Sequence, residues 1–254
     1  MLLAIDAGNT NIVFAIYTGT EWTREWRFET HPIVPALEYE KFLRFCFLEN
    51  GFKIDQIDRV VISTVVPQIT GILEDLSKRM FGIEALTIGM TCYPQLEIKL
   101  NNPEEIGTDL VANAVAAWTR FNNACIIVDF GTALTFTIVD SKGSVIGVSI
   151  APGLRTAVKA LSSNTAKLPY VPLELPKTAI GNDTVSAIQS GLLLGYTYMV
   201  KGMIGRIKSE VSDSMKVIAT GGMSSILHNL EGEFDIIDRH LTLDGMRIIM
   251  DANS

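Results

Sequence analysis

The sequence predicts an α/β protein built from two similar halves. Short apolar runs of strand length alternate along the chain with stretches of helical spacing. One apolar run ends on a carboxylate and a small-residue turn in AIDAGNTNIVFAIYTG, which begins at Ala4, and the same order recurs in IVDFGTALTFTIVDSKG, which begins at Ile127. The two carboxylates, Asp6 and Asp129, stand 123 positions apart, almost half of the 254 residues. A weaker echo relates VVISTVVP near Val60 to VIATGGMS near Val217, each a strand, a tight turn and a helix. A repeat with so long an offset points to two like domains rather than to a solenoid.

In chain order, residues 2–5 and 12–17 read as strands joined by the turn Gly8-Asn9-Thr10. Residues 22–28 alternate, with Trp22, Trp26 and Phe28 on one side, and form a third strand. YEKFLRFCFLEN, 39–50, has helical spacing and stops at Gly51. Residues 60–66 are a buried strand, and Pro67 opens a helix to residue 80, because Pro is preformed for a first helical turn. A polar loop, 101–107, precedes an Ala- and Val-rich helix, 109–121. The run 126–128 again ends on a carboxylate, and strands 136–139 and 145–150 flank the turn Ser141-Lys142-Gly143. Residues 156–167 and 182–210 read as helices on either side of an irregular segment carrying Pro169, Pro172 and Pro176. A strand at 217–220, a Gly221-Gly222 turn and a short helix at 223–230 complete the order.

Composition narrows the function classes. Hydrophobic residues are 48% and charged residues 19%, which suits a globular core. A chain of this length buries roughly three quarters of its extended surface. No uncharged apolar stretch reaches the roughly 18 residues of a membrane span. The first apolar run has no basic leader and is interrupted by Asp6, which argues against a signal peptide and for a cytoplasmic protein. A net charge of −7 without a basic stripe argues against nucleic-acid binding through phosphates. Cys46, Cys92 and Cys125 are far apart, fit neither a disulfide framework nor a zinc spacing, and are expected to be buried thiols. His31, His228 and His240 are equally isolated.

The repeated Asp-x-Gly turn, with a Thr one or two residues after the Gly, carries the chemistry. Glycine lets a backbone approach a phosphate and aim amides at it, and Thr and Asn add side-chain donors. A carboxylate on the same turn repels phosphate, but it can hold a magnesium ion that neutralises the phosphates. One Asp-x-Gly is an ordinary turn. Two copies, each after a buried strand, point instead to two turns gripping a nucleotide across a cleft. Gly221-Gly222 between strand and helix lets an adenine or ribose lie close to the backbone.

These residues resemble a family. Duplicated Asp-x-Gly turns are similar to those of the superfamily of actin, sugar kinases and heat-shock chaperone ATPases, whose halves are ribonuclease H-like. The chain more closely resembles the type III pantothenate kinases, a Bvg accessory factor-like family. The matching pieces are DAGNTN from Asp6, STVVP from Ser63, NPEEIGTD from Asn102, NAVAA from Asn113, DFGTALTF from Asp129, APGL from Ala151, TAKLP from Thr165, IGNDT from Ile180, IQSG from Ile188, TGG from Thr220 and LTLDGM from Leu241. They run from end to end in one order.

The resemblance implies two ribonuclease H-like domains, 1–118 and 119–254, each a mixed sheet with flanking helices, around a central nucleotide cleft. It implies ATP-dependent phosphorylation of pantothenate, the first committed step toward coenzyme A. By that similarity Asp6, Ala7, Gly8, Asn9, Thr10, Asn11, Ile12 and Val13 form the first phosphate loop, and Thr132 contacts ATP from the second. Asp6 serves magnesium, directly or through water, and Asp129 lies near a potassium or ammonium ion. Asp109 is the general base, Gly107, Thr108, Asp109, Leu110 and Thr184 line the pantothenate site, and the protein is a homodimer. A carboxylate in reach of a primary alcohol can accept its proton as the phosphoryl group moves, although an Asp in a first helical turn also serves the helix dipole.

The resemblance departs at two positions. The family usually reads Gly-x-Asp-Arg and carries a Tyr seven residues before that Gly, where this chain has Leu110 and Leu100. Arg suits a bidentate grip on the pantothenate carboxylate, and a lost charge-assisted contact costs roughly 1.5–3 kcal/mol. Arg155 or Lys159 offers a replacement cation; a different small alcohol as acceptor, or a non-catalytic accessory role, are the alternatives. Tyr93, Trp22, Trp26 and Trp118 read as packing residues, and Glu104-Glu105 as a solvated loop.

Overall fold

The computed structural model describes residues 1–212, 214–222 and 228–254. They divide into two compact units, one of Met1–Glu97, Asn102–Ala116 and Thr242–Ser254, the other of Ile98–Asn101 and Ala117–Leu241. The main break, between Ala116 and Ala117, lies two residues before the expected one, and the short stretches Ile98–Asn101 and Thr242–Ser254 each group with the unit on the far side of it.

In the first unit, β1 (Leu2–Ala7), β2 (Asn11–Tyr17) and β3 (Trp22–Glu29) form an antiparallel meander. Helix α1 (Ala36–Asn50) then carries the chain across to β4 (Arg59–Thr64), which lies parallel to β1, since parallel neighbours need a crossover. After α2 (Pro67–Phe81), the two-residue β5 (Leu86–Thr87) pairs parallel to β4, giving the sheet order β3-β2-β1-β4-β5. Pro67 stands at the start of α2, and α1 stops at Gly51, whose left-handed φ of 73° suits glycine. Leu3, Ile5 and Ala7 of β1 face Tyr39, Leu43 and Phe47 of α1 and Ile69, Leu73 and Leu76 of α2 in one buried cluster. Each large apolar side chain so buried contributes about 1.5–3 kcal/mol. Alternation puts Asp6 on the other face of β1. Trp26 lies 5.7 Å from Phe47 and 6.1 Å from Phe52, ring centre to ring centre, and Trp22 Nε1 donates to Asp244 Oδ1 at 2.9 Å.

In the second unit the two-residue β6 (Lys99–Leu100) lies beside the far end of the same topology. Helix α3 (Thr108–Phe121), whose residues to Ala116 belong to the first unit, leads to β7 (Cys125–Phe130), β8 (Ala133–Val139) and β9 (Ser144–Pro152), a second antiparallel meander. There follow α4 (Leu154–Asn164), α5 (Thr184–Gln189), a π-helical segment Ser190–Leu194, and α6 (Gly195–Glu210). Then β10 (Lys216–Thr220) pairs parallel to β7, and β11 (Ile236–Ile237) parallel to β10. The sheet order, β11-β10-β7-β8-β9-β6, repeats β5-β4-β1-β2-β3 strand for strand before adding β6. Ile126, Val128 and Phe130 pack on Tyr196, Val200 and Ile204 of α6, leaving Asp129 on the opposite face of β7, as Asp6 is on β1. The sequence echo is therefore a duplicated topology.

Several expected elements differ in extent. The strand expected at 136–139 begins at Ala133, because Ala133, Leu134 and Thr135 continue the pairing with Pro152, Ala151 and Ile150. The helix expected at 156–167 is α4, which begins after Gly153 and ends at Asn164. The single helix expected at 182–210 starts at Thr184, where Asp183 caps it by accepting the Ser186 N–H at 2.9 Å, and it is interrupted at Ser190, whose hydroxyl donates to the Ala179 carbonyl outside the helix. Of the helix expected at 223–230, residues 223–227 lie outside the described residues, and His228–Glu233 form a 3-10 helix. Helix α7 (Leu241–Ala252) was not expected; its Gly245 sits so close to the Ala112 carbonyl of α3 that no side chain fits there. All three cysteines are buried, and burial pushes the Cys125 thiol up to about 12. Trp118 packs beneath Gly143, where a Cβ would stand 2.9 Å from the indole. Among the described residues, no helix is long and apolar enough to cross a membrane.

Candidate active site

Asp6 is the penultimate residue of β1, paired in register with Val13 of β2 and Ser63 of β4. The turn that follows is closed by the Gly8 N–H donating to the Asn11 carbonyl at 3.0 Å. Asn9 and Thr10 are exposed at its tip, while Ala7 and Ile12 anchor it in the core. Thr30, the residue after β3, holds the turn from behind: its hydroxyl donates to the Gly8 carbonyl at 2.7 Å and its N–H to the Thr10 carbonyl at 3.0 Å.

Asp109 is joined to this turn within the same unit. Ser63, the register partner of Asp6, is fully buried, and its hydroxyl lies 3.0 Å from that of Thr108 at the start of α3. The Thr108 hydroxyl also donates to the Thr64 carbonyl at 3.2 Å. Two strand-end residues thus tie down the first turn of α3, and Asp109 is the next residue. Its Oδ1 accepts the Leu110 N–H at 2.8 Å. Burial pushes the Asp109 carboxyl above its ordinary range, against the pull of the backbone N–H groups of Leu110 and of Asp109 itself. Gly107 makes room for it, since a Cβ there would stand 2.5 Å from Asp109 Oδ1 and 3.4 Å from Val65 Cγ1. A carboxylate kept basic by burial and fixed by its own helix start is equipped to take a proton.

In the second unit Asp129 is the penultimate residue of β7, paired with Thr135 of β8 and Thr220 of β10, so each carboxylate has a hydroxyl residue beside it on the parallel strand. Its turn, Gly131-Thr132, closes through the Gly131 N–H and the Ala133 carbonyl at 3.0 Å, with Thr132 exposed at the tip. Gly153, the residue after β9, donates its N–H to the Thr132 carbonyl at 2.9 Å, and the Thr156 hydroxyl donates to the same oxygen at 2.7 Å. A Cβ on Gly153 would collide with the carbonyls of Gly131 and Thr132. Gly221, at φ 89°, lies directly against the Asp129 carboxylate, and a Cβ there would occupy the carboxylate's space.

Comparison with known proteins agrees with this geometry. The family model described as type III pantothenate kinase matches residues 2–206. A type III pantothenate kinase of Geobacter sulfurreducens is 41% identical over 253 residues, covering 100% of this chain and 99% of that one. The chain belongs to the type III pantothenate kinase family. Solved structures below 25% identity support the fold alone. One from Campylobacter jejuni, assigned to the Baf family of transcriptional activators, is 20% identical with a TM-score of 0.61 and covers 99% of this chain and 98% of that one. An activator of 2-hydroxyisocaproyl-CoA dehydratase from Clostridium difficile, solved with bound ADPNP, is 11% identical with a TM-score of 0.54 and covers 99% and 95%. Both units are of the mixed-sheet, ribonuclease H-like kind that the duplicated turns predict.

Of the residues that the family resemblance implies, Asp6–Val13, Gly107, Thr108, Asp109 and Leu110 lie in the first unit, and Asp129 and Thr132 in the second, with Gly221 against Asp129. Thr184 lies exposed in the first turn of α5, and Arg155 and Lys159 lie exposed on α4. Leu110 is buried at 8% exposure, and Leu100 pairs with Val145 on β6. Tyr93 is half-buried; burial, with Cys92 and Asp109 nearby, raises its hydroxyl pKa. Three positioning residues were not singled out from sequence. Ser63 and Gly153 lie inside matching family pieces but carry no chemistry of their own, and Thr30 is a lone Thr at a strand end, with no signal at all.

Proposed function

We propose that this protein transfers the γ-phosphoryl group of ATP to the primary hydroxyl of pantothenate, giving 4'-phosphopantothenate and ADP as the opening step of coenzyme A synthesis. The observation that carries the mechanism is the half-buried Asp109, held in the first turn of α3 and linked through Thr108 and Ser63 to the strand pair that bears Asp6. Asp109 accepts the hydroxyl proton as the alcohol oxygen attacks phosphorus and the bond to ADP breaks. Gly107, Thr108 and Leu110 surround the acceptor, with Thr184 as a further contact. Backbone amides of the Asp6–Val13 turn and the hydroxyls of Thr10 and Thr132 bind the phosphates.

Two ions fit the residues present. Asp6 would hold magnesium, directly or through water, beside the glycine turn. Asp129 would hold potassium or ammonium through its carboxylate, for which Gly221 makes room. Magnesium would neutralise phosphate charge. Domains near 1–118 and 119–254, a homodimer and a cytoplasmic location complete the reading.

The test is ADP release in a coupled assay with pantothenate, with and without potassium, and mass detection of the product. Phosphopantothenate formed faster with potassium is expected. No product at millimolar pantothenate overturns the assignment, and product from other small primary alcohols alone transfers it to the acceptor class that Leu100 and Leu110 leave open.

A further inference from the structure

We infer that Thr30 is a positioning residue for the nucleotide: it sets the orientation of the first phosphate turn without touching the ligand. This rests on the kinase reading above. Thr30 is 0% exposed, so its hydroxyl is shielded from bulk solvent. Its two donors reach two carbonyls of one turn, Gly8 at 2.7 Å through the hydroxyl and Thr10 at 3.0 Å through the N–H. In a planar trans peptide the C=O and the N–H point to opposite sides. Drawing the Gly8 carbonyl back toward Thr30 therefore aims the Asn9 N–H the other way, toward the exposed tip at Asn9 and Thr10. A glycine turn left to itself samples many peptide orientations, and only some present amides to a phosphate. The second unit gives independent support. There, too, the residue immediately after the third meander strand, Gly153, donates its N–H to the carbonyl of the turn threonine, Thr132, and a threonine hydroxyl, from Thr156, is the second donor to the turn. The main-chain donor of the brace thus recurs in an unlike sequence.

The experiment compares Thr30→Val and Thr30→Ser in the full-length protein. It reads the KM for ATP and for pantothenate in the coupled assay, and magnesium–ADP binding by titration calorimetry. Val matches the shape of Thr but removes the hydroxyl that donates to the Gly8 carbonyl. The ATP KM and the magnesium–ADP Kd are expected to rise about five- to tenfold, the equivalent of one net hydrogen bond, while the pantothenate KM stays within about twofold. Thr30→Ser keeps the donor and is expected to restore wild-type nucleotide affinity even at a lower melting temperature. Unchanged nucleotide affinity in Thr30→Val, an equal rise in both KM values, or a Thr30→Ser variant as weak as Thr30→Val overturns the inference. If Thr30→Val does not fold, Thr30→Ser decides alone: wild-type affinity supports the role of the hydroxyl and weakened affinity refutes it. A wild-type protein that binds magnesium–ADP yet makes no phosphopantothenate defeats the kinase assignment only, because calorimetry still reads the turn.

Discussion

Replacing Asp109 by Asn separates the charge of this residue from its shape. Asn keeps an oxygen where Oδ1 accepts the Leu110 N–H at 2.8 Å, and it fills the space that Gly107 leaves. What it loses is the ability to take a proton. General-base catalysis contributes about 10²–10⁴-fold, which is roughly 2.7–5.5 kcal/mol of barrier at 1.36 kcal/mol per tenfold. Turnover is expected to fall by that factor while nucleotide affinity stays at the wild-type level. Stability moves the other way. Burial raises the folded-state pKa of Asp109 above that of the unfolded chain. The stability tied to this group is therefore fully present below the unfolded value, about 3.9, and is lost as pH rises through the folded value. At neutral pH the wild-type fold carries a partly desolvated charge that Asn does not. The melting temperature of Asp109→Asn should equal or exceed that of the wild type at pH 7–8, with the difference shrinking as pH falls toward 4. Coupled kinetics and scanning fluorimetry across pH read both quantities. Turnover within threefold of wild type would remove Asp109 from the proton transfer, and a melting-temperature loss that does not change with pH would refute the burial argument.

Three further outcomes follow from the same geometry. The acid limb of the kcat/KM profile should lie above the ordinary Asp range, because Asp109 must be ionised to act and burial raises its pKa; a limb at or below about 3.9 would contradict this. Gly107→Ala puts a methyl 2.5 Å from Asp109 Oδ1 and should lower kcat with little change in the ATP KM, which steady-state kinetics will read. Gly153→Ala drives a methyl into the carbonyls of Gly131 and Thr132. It should cost about 1–3 kcal/mol of stability and raise the ATP KM, as melting curves and kinetics will show.

The fold was legible wherever a residue's role depends on pattern. Buried central strands read as apolar runs, so β1, β4, β7 and β10 stand near their expected places, and the 123-residue offset of Asp6 and Asp129 corresponds to one topology used twice. Two-residue strands such as β5 and β6 have no period to detect. The break at Ser190 depends on a bond to Ala179, eleven residues earlier, which no local window contains. Helix α7 hid because its packing on α3 relies on the absence of a side chain at Gly245. In the candidate site, Asp6, Asp129 and Thr132 stand out because they lie in the recurring Asp-x-Gly turn, whereas Asp109, in a segment that occurs once, is singled out mainly by the family resemblance.

The braces behind the phosphate turns were not legible, and the duplication explains why. Both units need a donor immediately after the third strand to fix the turn between the first two. A backbone N–H supplies it in each case, from Thr30 in one unit and Gly153 in the other. Because the shared donor is main chain, the residue identity at that position is free to diverge: a buried Thr can add its own hydroxyl to Gly8, while a Gly lets α4 start close enough for Thr156 to reach Thr132. The two solutions place the second donor on different carbonyls, Gly8 in one unit and Thr132 in the other. The Thr30 donors thus reach two carbonyls of the first turn, whereas the Gly153 and Thr156 donors meet on one oxygen of the second. Loss of the side-chain donor should therefore reorient a peptide in the first turn, whereas in the second the Gly153 N–H still holds the carbonyl that Thr156 shares, so Thr30 is the more sensitive of the two threonines.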